Sequence, residues 1–418
     1  MMQKQFFIEN RKKLYKNLEN NSVLLLFSGK EITKTNDEFY PFYTDRNFLY
    51  ITGLESKEFI LCVKKDEDEK VQECIYILPS NLILERWNGT RLTAQEVSEI
   101  SGIEEVRYIE NFEVDFHKIA SLGNYRNLYL DLYNVGITDV EKPSYLFWKE
   151  KMKKYPYMTI KNANPFIRKL RTIKQPCEIE AMREAQKITR AGIVAMMKAS
   201  RPGMYEYQYK AEFDYALGQY GPQGPAFPPI ISAGKNNFCI HYYSYKGQAM
   251  DGDMILNDVG GMYDNLMNDV SRGWPCNGKF SEKQRLLYEC ALNTSDYMFK
   301  TIRPGMKMQD VDGMIKKYNT QLLKEAGVLH NIEEINKYMW HGGAHHVGYD
   351  VHDAVEDPKI IAPGMVFCVD VGIYHEEWGI GFRLEDNCLV TETGCENLSA
   401  ITPRTIEEIE AMMQKGYY

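Results

Sequence analysis

Residues 254–260 read Met-Ile-Leu-Asn-Asp-Val-Gly, and residues 365–372 read Met-Val-Phe-Cys-Val-Asp-Val-Gly. A second carboxylate follows each stretch, Asp269 after the first and Glu385 after the second. This echo predicts that the C-terminal part of the chain consists of two related halves. Two hairpins that face one another would bring all four carboxylates together.

Four carboxylates in one site repel each other and raise each other's pKa unless a cation offsets the repulsion. A pair of divalent metal ions provides such a charge. An oxygen-rich cage with a single imidazole suits Mn, Co or Zn, and two such ions can share bridging carboxylates. The sequence therefore predicts a dinuclear metal centre. The four predicted carboxylate ligands are Asp258, Asp269, Asp370 and Glu385.

The histidines are concentrated in the same part of the chain. Seven of the eight follow residue 240, and four of them lie within residues 340–353, a segment that also contains three glycines. A neutral imidazole is a common metal ligand, and its unperturbed pKa near 6.5 also suits proton transfer. One loop can therefore supply both a metal ligand and a group that moves protons.

The chain before these motifs has a different character. Residues 1–165 alternate strand-like runs with helical segments, which predicts an α/β N-terminal domain. A break at residues 165–176 precedes a long amphipathic helix, so residues 166–418 are predicted to form an α+β C-terminal domain. The predicted strands span residues 23–27, 59–63, 74–77 and 128–132, and the predicted helices span residues 94–101, 142–155, 177–199, 205–220, 281–302 and 308–326.

Composition narrows the possible partners. The formal net charge is −8 and the pI is about 5.7, which argues against nucleic acid because phosphate binding needs clustered cations. No stretch approaches the roughly 20 apolar residues that a membrane span requires, and the N-terminus lacks the apolar region of a signal peptide. The sequence predicts a cytoplasmic enzyme that binds neither nucleic acid nor membrane.

The nine cysteines are scattered and contain no Cys-x-x-Cys pair, so they predict neither a disulfide framework nor a zinc ribbon. Cys276, Cys368 and Cys388 lie within or beside the strands of the two predicted hairpins, and we interpret them as small core residues. Cys239 and Ser271 have no base at a recognisable spacing, which disfavours nucleophilic catalysis by either side chain.

Several motifs occur together in a fixed order along the chain. They are residues 46–53, the junction at 170–174 with 178–180, Asn-Asp-Val-Gly at 257–260, Asn-Asp-Val-Ser-Arg at 268–272, His345, and Arg-Leu-Glu-Asp at 383–386. With these motifs the C-terminal half resembles the pita-bread metallopeptidases, particularly Xaa-Pro aminopeptidase (aminopeptidase P) and prolidase. Residues 46–53 resemble the creatinase-like N-terminal domain of these enzymes.

The resemblance implies a pita-bread fold with pseudo-twofold halves and a specific role for each ligand. Asp258 would hold one metal, Asp269 and Glu385 would bridge both, and His345 and Asp370 would complete the shell of the other. A bridging hydroxide would attack the peptide carbonyl. The resemblance also implies a homodimer or a higher homo-oligomer.

The resemblance further implies residues that handle the substrate. His241 matches a histidine that steadies the tetrahedral intermediate, His352 matches one near the scissile bond, and His341 matches one in the proline pocket. Arg383 would bind substrate or orient carboxylates, since it lies two residues from Glu385 on the same strand face. Tyr374, which follows the second Asp-Val-Gly, is a candidate for substrate binding or for packing.

Position 370 departs from the family pattern. These peptidases usually carry Glu in a Glu-Pro-Gly turn, whereas this chain has Asp in Asp-Val-Gly. The loss of one methylene retracts the carboxylate by roughly 1.5 Å, while metal–oxygen distances tolerate only about 0.2 Å. Backbone adjustment or an intervening water would be needed for Asp370 to act as a ligand.

The predicted activity is hydrolysis of the Xaa-Pro bond at the N-terminus of short peptides, with two divalent ions, Mn first and Co or Zn as alternatives. The sequence leaves three alternatives open. A prolidase would cleave Xaa-Pro dipeptides, and a creatinase-like hydrolase would cleave a non-peptide C–N bond. A catalytically silent metal-binding homologue is the third, because of Asp370.

Overall fold

The computed structural model describes residues 2–134, 136, 138, 140–356 and 359–416, and the chain divides into two units, Met1–Leu170 and Arg171–Tyr418. Within the described residues, no helix combines the length and the apolar character needed to cross a membrane. All nine cysteines are described, and all are free.

The N-terminal unit is built on a mixed six-stranded sheet with strand order β4-β3-β2-β1-β5-β6. Its central strand β1 pairs antiparallel with β2 and parallel with β5. Apolar side chains of these strands and of the helix α5 form its core. The elements are α1 (Lys4–Tyr15), β1 (Ser22–Phe27), α2 (Arg46–Thr52), β2 (Ile60–Lys65), β3 (Val71–Ile77), α3 (Leu82–Asn88), α4 (Ala94–Ser101), β4 (Val106–Tyr108), α5 (Phe112–Ser121), β5 (Asn127–Leu130), α6 (Pro143–Lys154), β6 (Thr159–Asn162) and α7 (Asn164–Thr172).

The C-terminal unit is built on an antiparallel sheet with strand order β12-β13-β11-β8-β7, and β14 pairs with β13. Helices α8, α10 and α11 contribute apolar side chains to a core beneath this sheet. The elements are α8 (Pro176–Ala199), α9 (Glu206–Gly218), β7 (Ile230–Ala233), β8 (Met254–Val259), β9 (Met262–Tyr263), β10 (Leu266–Met267), β11 (Val270–Pro275), α10 (Glu282–Thr301), α11 (Val311–Glu325), β12 (Val366–His375), β13 (Ile380–Val390), β14 (Cys395–Asn397) and α12 (Ile406–Gln414).

Two hairpins make up the middle of this sheet. Strand β8 pairs with β11, and β12 pairs with β13. The two inner strands, β11 and β13, then pair with each other, so each Asp-Val-Gly motif lies on the outer strand of its hairpin. The predicted pair of related halves is therefore confirmed. The fold class is also confirmed, with an α/β N-terminal unit and an α+β C-terminal unit.

The first hairpin is tight where its carboxylates lie. Gly260 ends the first Asp-Val-Gly, and a Cβ at this position would lie 1.8 Å from the backbone oxygen of Asn268. Only glycine permits this approach. The residue therefore brings the backbone of the Asp258 strand close to the residue that precedes Asp269.

Candidate metal centre

Strand register places one row of side chains across four strands of the C-terminal sheet. Asp258 lies opposite Ser271, Ser271 lies opposite Glu385, and Glu385 lies opposite Asp370. Directly opposed residues in antiparallel strands project from the same face. The Ser271 hydroxyl donates a hydrogen bond of 2.8 Å to Glu385 Oε2, which holds the central carboxylate of the row.

A second row lies beside the first. Asp269 and Cys368 each lie two residues before a member of the first row, and Cys368 pairs with Asn387. The Asn387 side chain accepts from the Asp269 backbone N–H at 3.2 Å and donates to the Asp269 carbonyl oxygen at 2.8 Å. It also donates to Cys368 Sγ at 3.4 Å. Asn387 therefore holds Asp269 and Cys368 in fixed positions on either side of it.

The histidine-rich segment reaches the sheet by pairing with the outer edge of β12. Asp370 N–H donates to the Gly343 carbonyl at 3.0 Å, and Cys368 N–H donates to the His345 carbonyl at 2.9 Å. Val347 N–H donates back to the Val366 carbonyl at 3.2 Å. These bonds keep one antiparallel register, which sets His345 opposite Cys368.

Close backbone approach along this edge depends on Gly343. A Cβ at this position would lie 2.2 Å from the Asp370 carbonyl oxygen and 2.8 Å from the Asp370 Cβ. Glycine removes that clash and lets the segment lie against β12. The imidazole of His345 is thereby brought over the carboxylates of the sheet.

Four donor atoms converge where the rows and the histidine segment meet. Ligand atoms of Asp269, His345, Cys368 and Glu385 all lie within 4.8 Å of one another. His345 Nε2 lies 3.4 Å from Asp269 Oδ2 and 3.6 Å from Glu385 Oε1. Ligands about 2.1 Å from a tetrahedrally coordinated ion lie about 3.4 Å apart, so these separations fit a divalent metal.

Unpartnered oxygens support the same conclusion. Within the described residues, Oδ1 of Asp258, Oδ1 of Asp269 and Oδ1 of Asp370 are buried and have no hydrogen-bond partner. A buried polar atom without a partner is costly, and a bound cation satisfies a carboxylate oxygen. The donor set therefore fits a metal centre that extends along the first row to Asp258 and Asp370.

Electrostatics in the cluster are those of crowded acids. Burial and the charges of Glu385 and Asp258 raise the pKa of Asp269, and burial with Glu385 raises the pKa of Asp370. Burial opposes ionisation of Glu385, yet the hydrogen bond and the charge of His345, together with hydrogen bonds from Cys368 and Ser271, outweigh it and lower the pKa of Glu385 to about 2. One carboxylate thus keeps its charge while two neighbours are driven towards protonation, a conflict that a cation would relieve.

Arg383, two residues before Glu385 on β13, forms a buried polar network beside the first row. Its Nη2 donates to Asp258 Oδ2 at 3.0 Å, and its Nη1 donates to the Tyr374 hydroxyl at 3.2 Å. Both Nη atoms also lie 3.2 Å from the Ile240 carbonyl. His341 Nε2 lies 2.8 Å from the same Tyr374 hydroxyl. The guanidinium therefore orients Asp258 and joins it to the tyrosine and the histidine.

Comparison with known proteins identifies the family of this chain. Residues 180–392 match the model of metallopeptidase family M24, and residues 7–129 match the aminopeptidase P N-terminal domain. The Xaa-Pro aminopeptidase of Haemophilus influenzae is 32% identical, with 98% of this chain and 97% of the relative covered. The chain belongs to metallopeptidase family M24.

A solved structure and a second sequence relative agree with this M24 assignment. Aminopeptidase P from Escherichia coli with the inhibitor Pro-Leu is 28% identical, has a TM-score of 0.91, and is matched over 99% of both chains. The Xaa-Pro aminopeptidase of Escherichia coli K12 is 29% identical, with 98% of each chain covered. The C-terminal unit thus has the pita-bread fold, and the chain is a hydrolase of a family that uses divalent metal.

Two further histidines that the sequence predicts for the site of this M24 chain, His241 and His352, are exposed. His352 is exposed, and its ring makes an edge contact with His345 at a centroid separation of 4.3 Å. His241 is exposed and stacks on Tyr243 at 6.4 Å. Partial desolvation of the ring, followed by the charge of His345, lowers the pKa of His352, which favours its neutral form.

Cys368 is the residue whose place at the centre sequence reasoning missed. Its burial is as expected of a core cysteine, but its sulfur is also one of the four converging donors. Asp258 and Asp370, both expected as ligands, lie in the first row but are not part of that four-atom group. The signal that could have placed Cys368 at the centre was its spacing, because Cys368 precedes Asp370 by two residues and therefore lies on the same strand face.

Proposed function

We propose that this chain is a metal-dependent aminopeptidase that hydrolyses the Xaa-Pro bond at the N-terminus of short peptides. The observation that carries the proposal is the convergence of Asp269, His345 and Glu385 in a chain similar over nearly its whole length to Xaa-Pro aminopeptidases. The three alternatives left open by the sequence are not favoured, because the relatives named above are Xaa-Pro aminopeptidases.

Two divalent ions are proposed to bind along the sheet face. Mn²⁺ is the first candidate, and Co²⁺ or Zn²⁺ would also suit carboxylates with one imidazole. When bound, the ions would supply Lewis acidity and lower the pKa of a nucleophilic water. The proposed ligands are Asp258, Asp269, His345, Asp370 and Glu385.

Residues beside the centre are proposed to bind and orient the peptide. His241 and His352 are exposed, and an imidazole N–H can donate a hydrogen bond to a substrate oxygen. His341 and Tyr374 would contact the substrate from the side of the row on which Arg383 lies. Burial lowers the pKa of His341, which favours its neutral form.

Location and assembly are also proposals. The nine free cysteines support a reducing compartment, and we place the protein in the cytoplasm on that ground. A homodimer or higher homo-oligomer is proposed from the family resemblance alone. Size-exclusion chromatography with light scattering would measure the assembly directly.

Activity towards an Xaa-Pro-Yaa tripeptide tests the proposal. Full-length protein stripped of metal by a chelator should be inactive, and it should release the N-terminal residue after reloading with Mn²⁺, Co²⁺ or Zn²⁺. An Xaa-Ala-Yaa peptide serves as the substrate control, and an Xaa-Pro dipeptide separates prolidase action. Absence of turnover with all three metals at full metal occupancy would overturn the proposal.

Replacement of Arg383 should impair turnover in a graded way. Arg383→Gln removes the cation beside Asp258, and we expect kcat to fall by about 100-fold, the scale of one lost electrostatic contact. Arg383→Lys keeps the charge but loses the planar fork that also reaches the Tyr374 hydroxyl, so a loss of about 10-fold is expected. Steady-state kinetics with Arg303→Gln, at an exposed arginine, as the control would measure both effects. Unchanged kcat in folded Arg383→Gln would contradict this role.

A further inference from the structure

We propose that the Cys368 thiolate is a direct ligand of the metal centre. This inference rests on the metal centre of the proposed function and is independent of which peptide is cleaved. The sulfur belongs to the same four-atom group as the Asp269, His345 and Glu385 donors, all within 4.8 Å of one another. No other cysteine of the described chain lies in that group.

The position of the sulfur is fixed by backbone pairing. Cys368 pairs with Asn387 on β13 on one side, and its N–H donates to the His345 carbonyl at 2.9 Å on the other. The side chain is fully buried. It therefore projects from the same sheet face as Asp370, between the Asn387 side chain and the imidazole of His345.

A second observation is that a carboxylate of the four-residue group has a buried oxygen without a hydrogen-bond partner. Asp269 is 4% exposed, and its Oδ1 is buried without a hydrogen-bond partner. Cys368 is thus not an isolated thiol in an apolar core but one of several donors that surround a common point. A cation bound among these donors would supply a partner for the buried Asp269 carboxylate and would be within reach of the sulfur.

Coordination of the Cys368 thiol to the metal ion releases one proton. The thiol Cys–SH loses its proton to solvent, and the resulting sulfur anion forms the bond to the divalent ion. The Asn387 amide, which donates to the sulfur at 3.4 Å, would stabilise this anion. No oxidant or reductant is required.

A sulfur ligand also compensates for the shortened acid at position 370. Asp370 lies two residues beyond Cys368 and is not in the four-atom group. Thiolate is a softer donor than carboxylate and favours Zn²⁺ or Co²⁺ over Mn²⁺. We therefore expect the relative affinity for Zn²⁺ over Mn²⁺ to fall by at least about 10-fold when the sulfur is removed.

Cobalt spectroscopy tests the proposal on the full chain. Protein loaded with Co²⁺ should show an intense near-ultraviolet charge-transfer band from thiolate to cobalt. Cys368→Ser should abolish the band, and Cys290→Ala, at a buried cysteine on α10, should retain it. Zinc K-edge X-ray absorption of the unmodified protein should detect one sulfur at about 2.3 Å, which needs no variant to fold.

The outcomes separate this proposal from the proposed function. Bound cobalt or zinc without a charge-transfer band or a sulfur neighbour would overturn the Cys368 ligand and leave the peptidase proposal standing. A band that persists in Cys368→Ser would also overturn it. Failure of the unmodified protein to bind either metal would overturn the metal centre itself, and with it the proposed function.

Discussion

Glu385→Gln is expected to lower kcat/KM for an Xaa-Pro-Yaa peptide by at least about 1000-fold, which corresponds to roughly 4 kcal/mol of transition-state stabilisation. Glu385 lies at the centre of the first row, opposite both Ser271 and Asp370. Its Oε1 lies 3.6 Å from His345 Nε2. The amide keeps the shape but removes the charge that two metal ions would share, so metal content should fall as well.

Elemental analysis and kinetics on the same preparation measure both effects. Glu376→Gln is a suitable control, because Glu376 is an exposed glutamate in the connection between β12 and β13 of the same hairpin. It should keep its metal and its activity. A folded Glu385→Gln variant with two metals per chain and ordinary turnover would show that Glu385 is not a required metal ligand.

The central feature of the fold was readable from the sequence. The Asp-Val-Gly echo predicted two hairpins, and the strand order of the C-terminal sheet confirms them. The long helix predicted at 177–199 is confirmed as α8 (Pro176–Ala199). It was predictable because its apolar period is strong and a proline occupies its first turn. The helix α1 (Lys4–Tyr15) was not predicted. Its N-cap residue Gln3 makes no capping hydrogen bond, so the usual start signal is missing.

The place of Cys368 at the centre could not be read from the sequence in the same way. It depends on how residues 343–347 pair with the edge of β12, and the stretch 342–348 that contains them has three glycines and no strand-like alternation. Register along such an edge is fixed by tertiary contacts rather than by local pattern. The family resemblance pointed to Asp370, whereas the four-atom group contains the residue two positions earlier.

Asp353→Asn is expected to lower the free energy of unfolding by about 3–5 kcal/mol, because it removes the carboxylate that pairs with the buried Lys174 and one of the two carboxylates that pair with the buried Arg171. Lys174 Nζ donates to Asp353 Oδ2 at 2.7 Å, and Arg171 donates to Oδ1. All three side chains are at most 1% exposed. Asp350→Asn is the matched control, since Asp350 also bonds to Arg171 at 2.7 Å but is 36% exposed, and it should cost no more than about 1 kcal/mol.

The pH dependence of the stability gap between wild type and Asp353→Asn tests whether the charge of Asp353 is the source of that gap. Burial opposes ionisation, but Arg171 and Lys174 outweigh it and lower the pKa of Asp353 to about 2. The unfolded value is about 3.9, so the stabilisation is fully present above that pH and is lost as pH falls towards 2. Urea unfolding at several pH values should therefore show the gap between wild type and Asp353→Asn narrowing below about pH 4. A gap that stays constant down to pH 2 would mean that the lost stability does not come from the charge of Asp353.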